Sequence, residues 1–430
     1  MLTVSQLPRL FEDFTRGAGT IKLDYEDFEV EEIPLYEPSG EGTHSYFLLE
    51  KRGLNTTQAI NNIAQALGAQ RRDFGYAGRK DSRAVTRQWV SIEHVPAAQL
   101  QRLQIPRIEI LDVQMHRNKL KLGHLKGNRF RIRVRQTQVH RLEEFRGKLD
   151  ELARIGVPNY FGPQRFGARG DNADVGRAVL TGDWDEALDL ILGCPDERDF
   201  GDILQARRLY EKGDYESARS RWPGMFVDQR RALKTLATTG KKKRAFQAID
   251  RSAIRFYVSA LQSALFNQVV AMRLPLGLHV MRDGDLAWRH PQGAIFAVPD
   301  AAKEQPRADT FEISPTGPLF GHRMTTPEGL AATQEAAVFE NAGLPPEAFQ
   351  GGKGRAEGGR RPLRFPVHEP KVTLGADDRG PYLELQFELP RGCYATALLR
   401  ELFEDETVGG LEAPSLDATD NSDADGHDHR

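Results

Sequence analysis

The stretch GYAGRKDSRAVTRQWVSI, from Gly75 to Ile92, holds one acid, Asp81, among Arg79, Lys80, Arg83 and Arg87. An ionised carboxylate can act as a nucleophile or a base. Cations beside a carboxylate favour its charged form, and they also attract phosphate. Asp81 is therefore a candidate catalytic residue, with Lys80 and Arg83 as candidate substrate-binding residues. A plainer use exists. Asp before Ser is common in turns, where its carboxylate accepts a bond from a nearby backbone N–H. That accounts for the acid but not for the cations gathered around it.

Two further stretches carry charge that could meet a polyanion. Val113 to Leu142 contains nine Lys/Arg and no Asp/Glu. Within it, Arg129, Arg131, Arg133 and Arg135 alternate with Phe130, Ile132 and Val134. Alternate side chains of a strand share a face, so one face is expected to be an arginine row without acidic partners. Such a row suits a phosphate backbone, which makes Arg129 and Arg131 candidate RNA contacts. A solvated sheet face is the alternative. Gln229 to Ile249 adds seven Lys/Arg, again without an acid. Two such stretches in one chain strengthen the case for a nucleic-acid partner.

Other chemistries find no support. The chain has two cysteines, Cys194 and Cys393, so no disulfide framework or paired-cysteine metal site is expected. No Walker phosphate loop or HExxH pair occurs, and GAGT at residues 17–20 precedes a strand without completing a dinucleotide fingerprint. NYFGPQRFG sets Tyr160, Phe161 and Phe166 around glycines that permit tight turns. A packed turn and a binding loop are equally open there.

The elements that must position these residues follow from periodicity. IKLDYEDFEVEEI and GTHSYFLLEKRG read as strands. NTTQAINNIAQALGA is a helix, capped at Asn55 or Thr56, with Ile60, Ile63, Ala64 and Leu67 on its apolar face and Gly68 as its stop. TRQWVSIE, IPRIEILDVQMH and NRFRIRVRQ are further strands, and RLEEFRGKLDELARIG is an amphipathic helix. The order β-β-α-β-β-β-α is α+β, without the alternation of a doubly wound sheet. A helix-rich region follows. YLELQFELP and YATALLRELF then supply a strand and a helix that could complete the first sheet, which would make the middle region an insertion.

The chain has 430 residues and a formal net charge of -2. Residues 401–430 alone carry -9, leaving +7 on the rest. A basic body with an acidic, disordered tail is expected. Neither a secretion signal nor a transmembrane stretch is evident, so a cytoplasmic protein is expected.

The motifs AGRKDSRAVTRQ, HRNKLKLGHLKGNRF, NYFGPQRFG, RFYVSALQSALFN, DGDL, PTGPLFG and YATALLREL occur in this order between about residues 20 and 405. Together they resemble the TruD family of tRNA pseudouridine synthases. The resemblance implies an α+β pseudouridine synthase domain with a mixed, largely antiparallel sheet, interrupted by a family-specific inserted domain. On that basis residues 1–155 and 362–406 form the catalytic domain, and 156–349 form the insertion. Residues 350–361 form a flexible basic linker and 407–430 a disordered acidic tail. The implied reaction isomerises uridine to pseudouridine, usually at uridine 13 of tRNA, with no cofactor and no metal. Asp81 is implied as the nucleophile or base. Phe130 is implied to stack on the target base, Asn128 to shape its pocket, and Lys22 to lie near the site. The helical region 183–225 looks longer than in compact members, and the acidic tail lies outside the family pattern. The alternative is a non-catalytic RNA-binding or RNA-folding protein. Such a binder would have no use for Asp81. No protein partner is indicated.

Overall fold

Strand β1 (Phe28–Pro34) turns Phe28, Val30 and Glu32 to one face and Glu29 and Glu31 to the other, as a pleated chain must. It lies at the centre of a sheet with β2 (His44–Arg52), β3 (Phe74–Tyr76), β4 (Val85–Glu93), β5 (Ile108–His116) and β6 (Leu125–Arg135). In this computed structural model, which describes residues 2–351 and 356–409, two later strands join them, His368–Asp377 and Gly380–Pro390. The order across the sheet is His368–Asp377, Gly380–Pro390, β6, β1, β4, β2, β5, with β3 also paired to β4. Only the β1–β4 pairing is parallel, so the sheet is mixed and largely antiparallel. The returning strand pairs with β6 in a register that places Leu383 opposite Val134 and Phe387 opposite Phe130.

The β1 strand is shorter at its start than its sequence pattern predicts. Residues 25–27 form a 3₁₀ turn instead, in which the Asp24 N–H donates to the Asp27 carboxylate. Lys22 lies before that turn, with φ at 61° in the left-handed region.

One edge of β4 is shared. Residues 85–87 pair with β1 and residues 90–92 pair with β3. The ladder is interrupted at Gln88 and Trp89, and side chains fill the gap. The Trp89 N–H donates to the Glu32 carboxylate at 3.3 Å.

Helices cover one face of the sheet. Helix α1 (Thr56–Leu67) is capped by the Asn55 side chain, which accepts from the Gln58 N–H at 2.7 Å, and it stops at left-handed Gly68. Its Ile60 and Ile63 pack with Phe47, Leu49, Val90 and Ile92 in one apolar cluster. The helices Leu142–Ile155 and Ala395–Leu402 build a second cluster with Phe28, Val30, Phe130, Ile132, Val134, Leu383 and Leu385. Alternation along β1, β2 and β4 puts Glu32, Lys51, Thr86 and Gln88 on this same inward face. A polar seam thus runs between two apolar clusters.

The chain divides into two compact units. The described residues of the sheet unit are 9–157 and 365–409, and those of the other are 2–8, 158–351 and 356–364. The second unit is organised around the long helix Arg251–Arg273. Helix Asn172–Thr181 meets it closely, since a Cβ on Gly176 would lie 2.2 Å from the Tyr257 carbonyl oxygen. A four-stranded sheet has the order Gly359–Pro362, Ile313–Leu319, Leu286–Arg289, Ile295–Ala297. No helix among the described residues is long and apolar enough to cross a membrane.

Two expectations need correction. Residues 359–361 are not linker but strand, paired to 317–319. Arg360 is buried there and binds Glu335 through two bonds of 2.8 and 2.7 Å. A glycine-rich composition concealed the one side chain with a buried acid to meet. Residues 407–409 belong to the helix Asp405–Gly409, with Val408 in the core. The rest of the expected tail, residues 410–430, lies outside the described residues, as do 352–355.

The N-terminal segment of the sheet unit is tied to the returning helix. Arg9 donates to the carbonyls of Arg400 and Phe403 and pairs with Asp405. The Leu10 N–H donates to the buried Glu401 carboxylate at 2.7 Å. Burial pushes the Glu401 carboxyl up from 4.5 to about 7, against the pull of the Leu10 N–H and the nearby arginines. The folded state therefore binds a proton that the unfolded chain releases above pH 4.5. Stability from this group is full below that pH and is lost as pH rises toward about 7. The thermal midpoint of Glu401→Gln should depend less on pH across this window than that of the parent. Parallel curves for the two proteins would show that Glu401 does not titrate there.

Candidate active site

Asp81 sits in the loop of residues 77–84 between β3 and β4, close to where β1 and β3 part along the β4 edge. Its side chain is 43% exposed. Around it the loop alternates, with Arg79 and Arg83 exposed and Lys80 and Ala84 buried. Four contacts fix the loop backbone. The Lys80 N–H donates to Thr56 Oγ1 at 2.9 Å, and that hydroxyl donates to Gln88 Oε1. Gln88 Nε2 in turn donates to the Gly78 carbonyl at 3.0 Å. The Gly123 N–H donates to the Ala77 carbonyl at 2.8 Å.

The strongest constraint is Lys51, a residue the motifs did not single out. Its side chain is fully buried on β2. Its ammonium donates to the carbonyl of Asp81 at 2.7 Å and to those of Lys80 and Leu54. Burial lowers the Lys51 ammonium to about 7; Asp81 opposes the shift, while Lys80 and Lys22 add to it. A signal for it did exist. Phe47, Leu49 and Lys51 alternate on the inward face of one strand, so the lysine must point into the protein.

Lys22 reaches Asp81 directly. Its Nζ lies 3.5 Å from Asp81 Oδ1 and 4.2 Å from the centroid of the Phe28 ring. Arg83 donates to the Lys22 carbonyl at 3.2 Å, linking the end of the loop to that lysine. The structure thus brings Lys22, Asp81 and Arg83 together.

Lys80 differs from expectation. It does not face outward toward phosphate. Its ammonium is buried, 3.1 Å from Glu32 Oε2 and 2.8 Å from Asn128 Oδ1. Burial pushes the Glu32 carboxyl up, against the pull of Lys80. Asn128 therefore holds Lys80 as part of the seam. Lys80 is a structural anchor that directs its neighbour Asp81 to the surface.

Phe130 also differs. It is 7% exposed, stacked on Phe387 with centroids 5.4 Å apart and edge-on to Phe28 at 6.2 Å. An open aromatic platform was expected. The ring belongs to the core cluster, and little of it is accessible.

The arginine row is the largest correction. It does occupy one face of β6, opposite the buried Phe130, Ile132 and Val134. It is not free of acids, because neighbouring strands supply them. Arg129 pairs with Glu31 at 3.3 Å and Glu388 at 2.7 Å. Arg131 pairs with Glu29, and Arg133 with Glu384 at 3.1 Å. Arg135 binds Asp27 and Asp377. Arg87 on β4 extends the ladder from Glu29 to Glu50. Among the described residues no group of three His, Cys, Asp or Glu could hold a metal ion.

Known proteins resemble this chain along most of its length. The family model described as tRNA pseudouridine synthase D (TruD) matches residues 9–402. A Geobacter sulfurreducens protein named tRNA pseudouridine synthase D is 49% identical over 388 residues, covering 90% of this chain and 94% of that protein. A Geobacter metallireducens protein of the same name is 47% identical over 389 residues, covering 90% and 95%. A crystal structure from Methanosarcina mazei, described as a candidate tRNA pseudouridine synthase D, superposes with a TM-score of 0.81 at 26% identity, covering 94% of this chain and 96% of that one.

Lys51→Met keeps the length of the side chain and removes its donors. Each buried carbonyl left unpaired costs about 1–3 kcal/mol. The Lys80 amide of this loop, which donates to Thr56 at the start of α1, should then exchange hydrogen at least about tenfold faster. Unchanged exchange in a folded variant would show that the loop keeps its shape without the ammonium.

Proposed function

The chain belongs to the TruD family of tRNA pseudouridine synthases, and from that premise we propose that it isomerises uridine 13 of tRNA, with Asp81 as the group that starts the reaction. The observation that carries this assignment is the setting of Asp81. It is the one carboxylate of its loop, its side chain is 43% exposed beside the Lys22 ammonium, and its backbone is gripped by the buried Lys51. A turn-forming aspartate would not need such a seat.

The reaction breaks the N1–C1′ bond, turns the uracil and joins C5 to C1′. Two routes begin at the same oxygen. In one, Asp81 attacks C1′, and the uracil leaves with the bonding pair of the glycosidic bond. C5 then displaces the carboxylate. In the other, Asp81 removes the C2′ proton as the uracil leaves, giving a glycal, and the proton returns when C5 adds to C1′. Both routes end with loss of the C5 proton and gain of a proton at N1, so the base exchanges one C–H for one N–H and the isomerisation balances. Lys22 faces the carboxylate and can balance charge at the site as the uracil departs. The target base must leave its stack to reach the loop. The Lys22 ammonium lies over the buried Phe28 ring, which meets Phe130 edge-on, so these rings sit behind the lysine that faces Asp81. Asn128 acts through Lys80, and Arg83, exposed at the loop's end, is placed to meet an adjacent phosphate.

Arg129 and Arg131 already have carboxylate partners. An RNA phosphate would have to displace these, so the two arginines are secondary contacts at most.

Asp81→Asn preserves shape and removes the ionised oxygen. Pseudouridine formation in tRNA by the purified variant should fall about a hundredfold or more, while tRNA affinity stays within about threefold because phosphates dominate it. Substantial turnover by the variant would remove Asp81 from its role. Pseudouridine mapping of tRNA from cells with and without the gene tests the target, and an unchanged uridine 13 would overturn that part alone.

A further inference from the structure

The two acid-free basic stretches look alike in sequence and differ in structure. On β6 each of the four arginines has found one or more carboxylates. The stretch 229–249 has not been neutralised in this way. It folds as helix Val227–Thr239, a left-handed Gly240, and helix Lys242–Gln247. Ala232, Leu233, Leu236, Ala245 and Phe246 form the buried side of this corner. Three of its seven cations are spent within the fold. Arg230 donates to the Trp222 carbonyl at 2.6 Å. Arg231 lies 3.5 Å from Asp228, and Lys242 binds Asp189 at 2.6 Å. Lys234, Lys241, Lys243 and Arg244 remain, all exposed. Among the described residues none of these four side chains has a carboxylate at ion-pair distance.

We propose that Lys234, Lys241, Lys243 and Arg244 form a second RNA contact, which holds the phosphate backbone of the tRNA. This inference rests on the proposed function for the identity of the RNA. Its physical basis is separate. Four exposed like charges lie on or next to the two helices that meet at Gly240. They hold counter-ions that a polyanion can replace, and release of those ions drives association. Within residues 229–249 the one aromatic ring, Phe246, is buried, so the stretch offers contacts to a backbone and no stacking surface for bases. Phosphate contacts fix register and orientation without reading sequence. That is what a site acting on one uridine requires from the rest of its substrate. These residues lie in the unit of residues 158–364, whereas Asp81 lies in the sheet unit.

The test uses the full chain and the fourfold variant Lys234→Gln, Lys241→Gln, Lys243→Gln, Arg244→Gln. Because all four side chains are exposed, equal melting midpoints should confirm an unchanged fold. Filter binding of tRNA across a potassium chloride series reads the effect. Each lost phosphate contact removes about 0.7–0.9 from the slope of log affinity against log salt. The variant's slope should be shallower by roughly 2–4, and its Kd at about 0.1 M salt at least tenfold weaker. In turnover assays the loss should fall on KM rather than kcat. A second variant with Lys234, Lys241 and Lys243 replaced by Arg should keep the parental slope. Identical slopes and affinities for the parent and the Gln variant would overturn the proposal and make the corner a solvated surface. If the parent binds tRNA with the expected slope change but forms no pseudouridine, the proposed function fails and the contact stands.

Discussion

A buried ammonium must find oxygen acceptors, because an ammonium without them is too costly to hold away from water. Lys51 meets this demand with three backbone carbonyls, two of them from the loop that carries Asp81. The loop cannot relax without stranding the charge, so its shape is set from beneath. Asp81 then has its carbonyl turned inward to Lys51 and its carboxylate turned outward to Lys22. The arrangement divides the work of one residue between its main chain, which anchors, and its side chain, which is left free for chemistry. Lys80 repeats the pattern one position earlier, with its ammonium held by Glu32 and Asn128.

The seam that holds these groups is a consequence of the sheet. Strand β4 changes partner from β1 to β3 part of the way along one edge. That change leaves ladder positions to be satisfied by side chains, and Glu32 and Gln88 supply them. Apolar clusters on either side keep water out, which strengthens each polar contact between them. A site placed at the junction of two clusters gains rigid walls and an opening at the loop. The returning strand Gly380–Pro390 completes one of those walls by bringing Phe387 against Phe130.

Charge is distributed by the same logic. The outward face of the sheet carries alternating acids and bases on neighbouring strands, from Glu50 through Arg87 and Glu29 to Arg131. Cross-strand pairs of opposite charge stabilise a sheet modestly, and here they consume the arginine row. At the corner around Gly240, four cations have no carboxylate at ion-pair distance among the described residues. Which cations are available to RNA therefore depends on what lies beside them in space, not on how many occur in a run.

The sequence by itself determined the local elements and the family. Alternation in NRFRIRVRQ fixed which side of β6 is buried, Asn55 and Gly68 fixed the ends of α1, and the ordered motifs fixed the resemblance. Asp81 was legible as an odd acid among cations, and Lys22 as a matching position. Strand parity also pointed Lys51 inward, although nothing local said what it would bind. Only the tertiary structure decided the partners. The acids that neutralise Arg129 to Arg135 come from residues 27–31 and 377–388, far away in the chain. Burial of Phe130 needed Phe387, and the inward turn of Lys80 needed Glu32. Periodicity reports which face a side chain takes, since that depends on its own backbone. Pairing depends on which strand folds alongside, and that is set by contacts hundreds of residues apart, which no local pattern records.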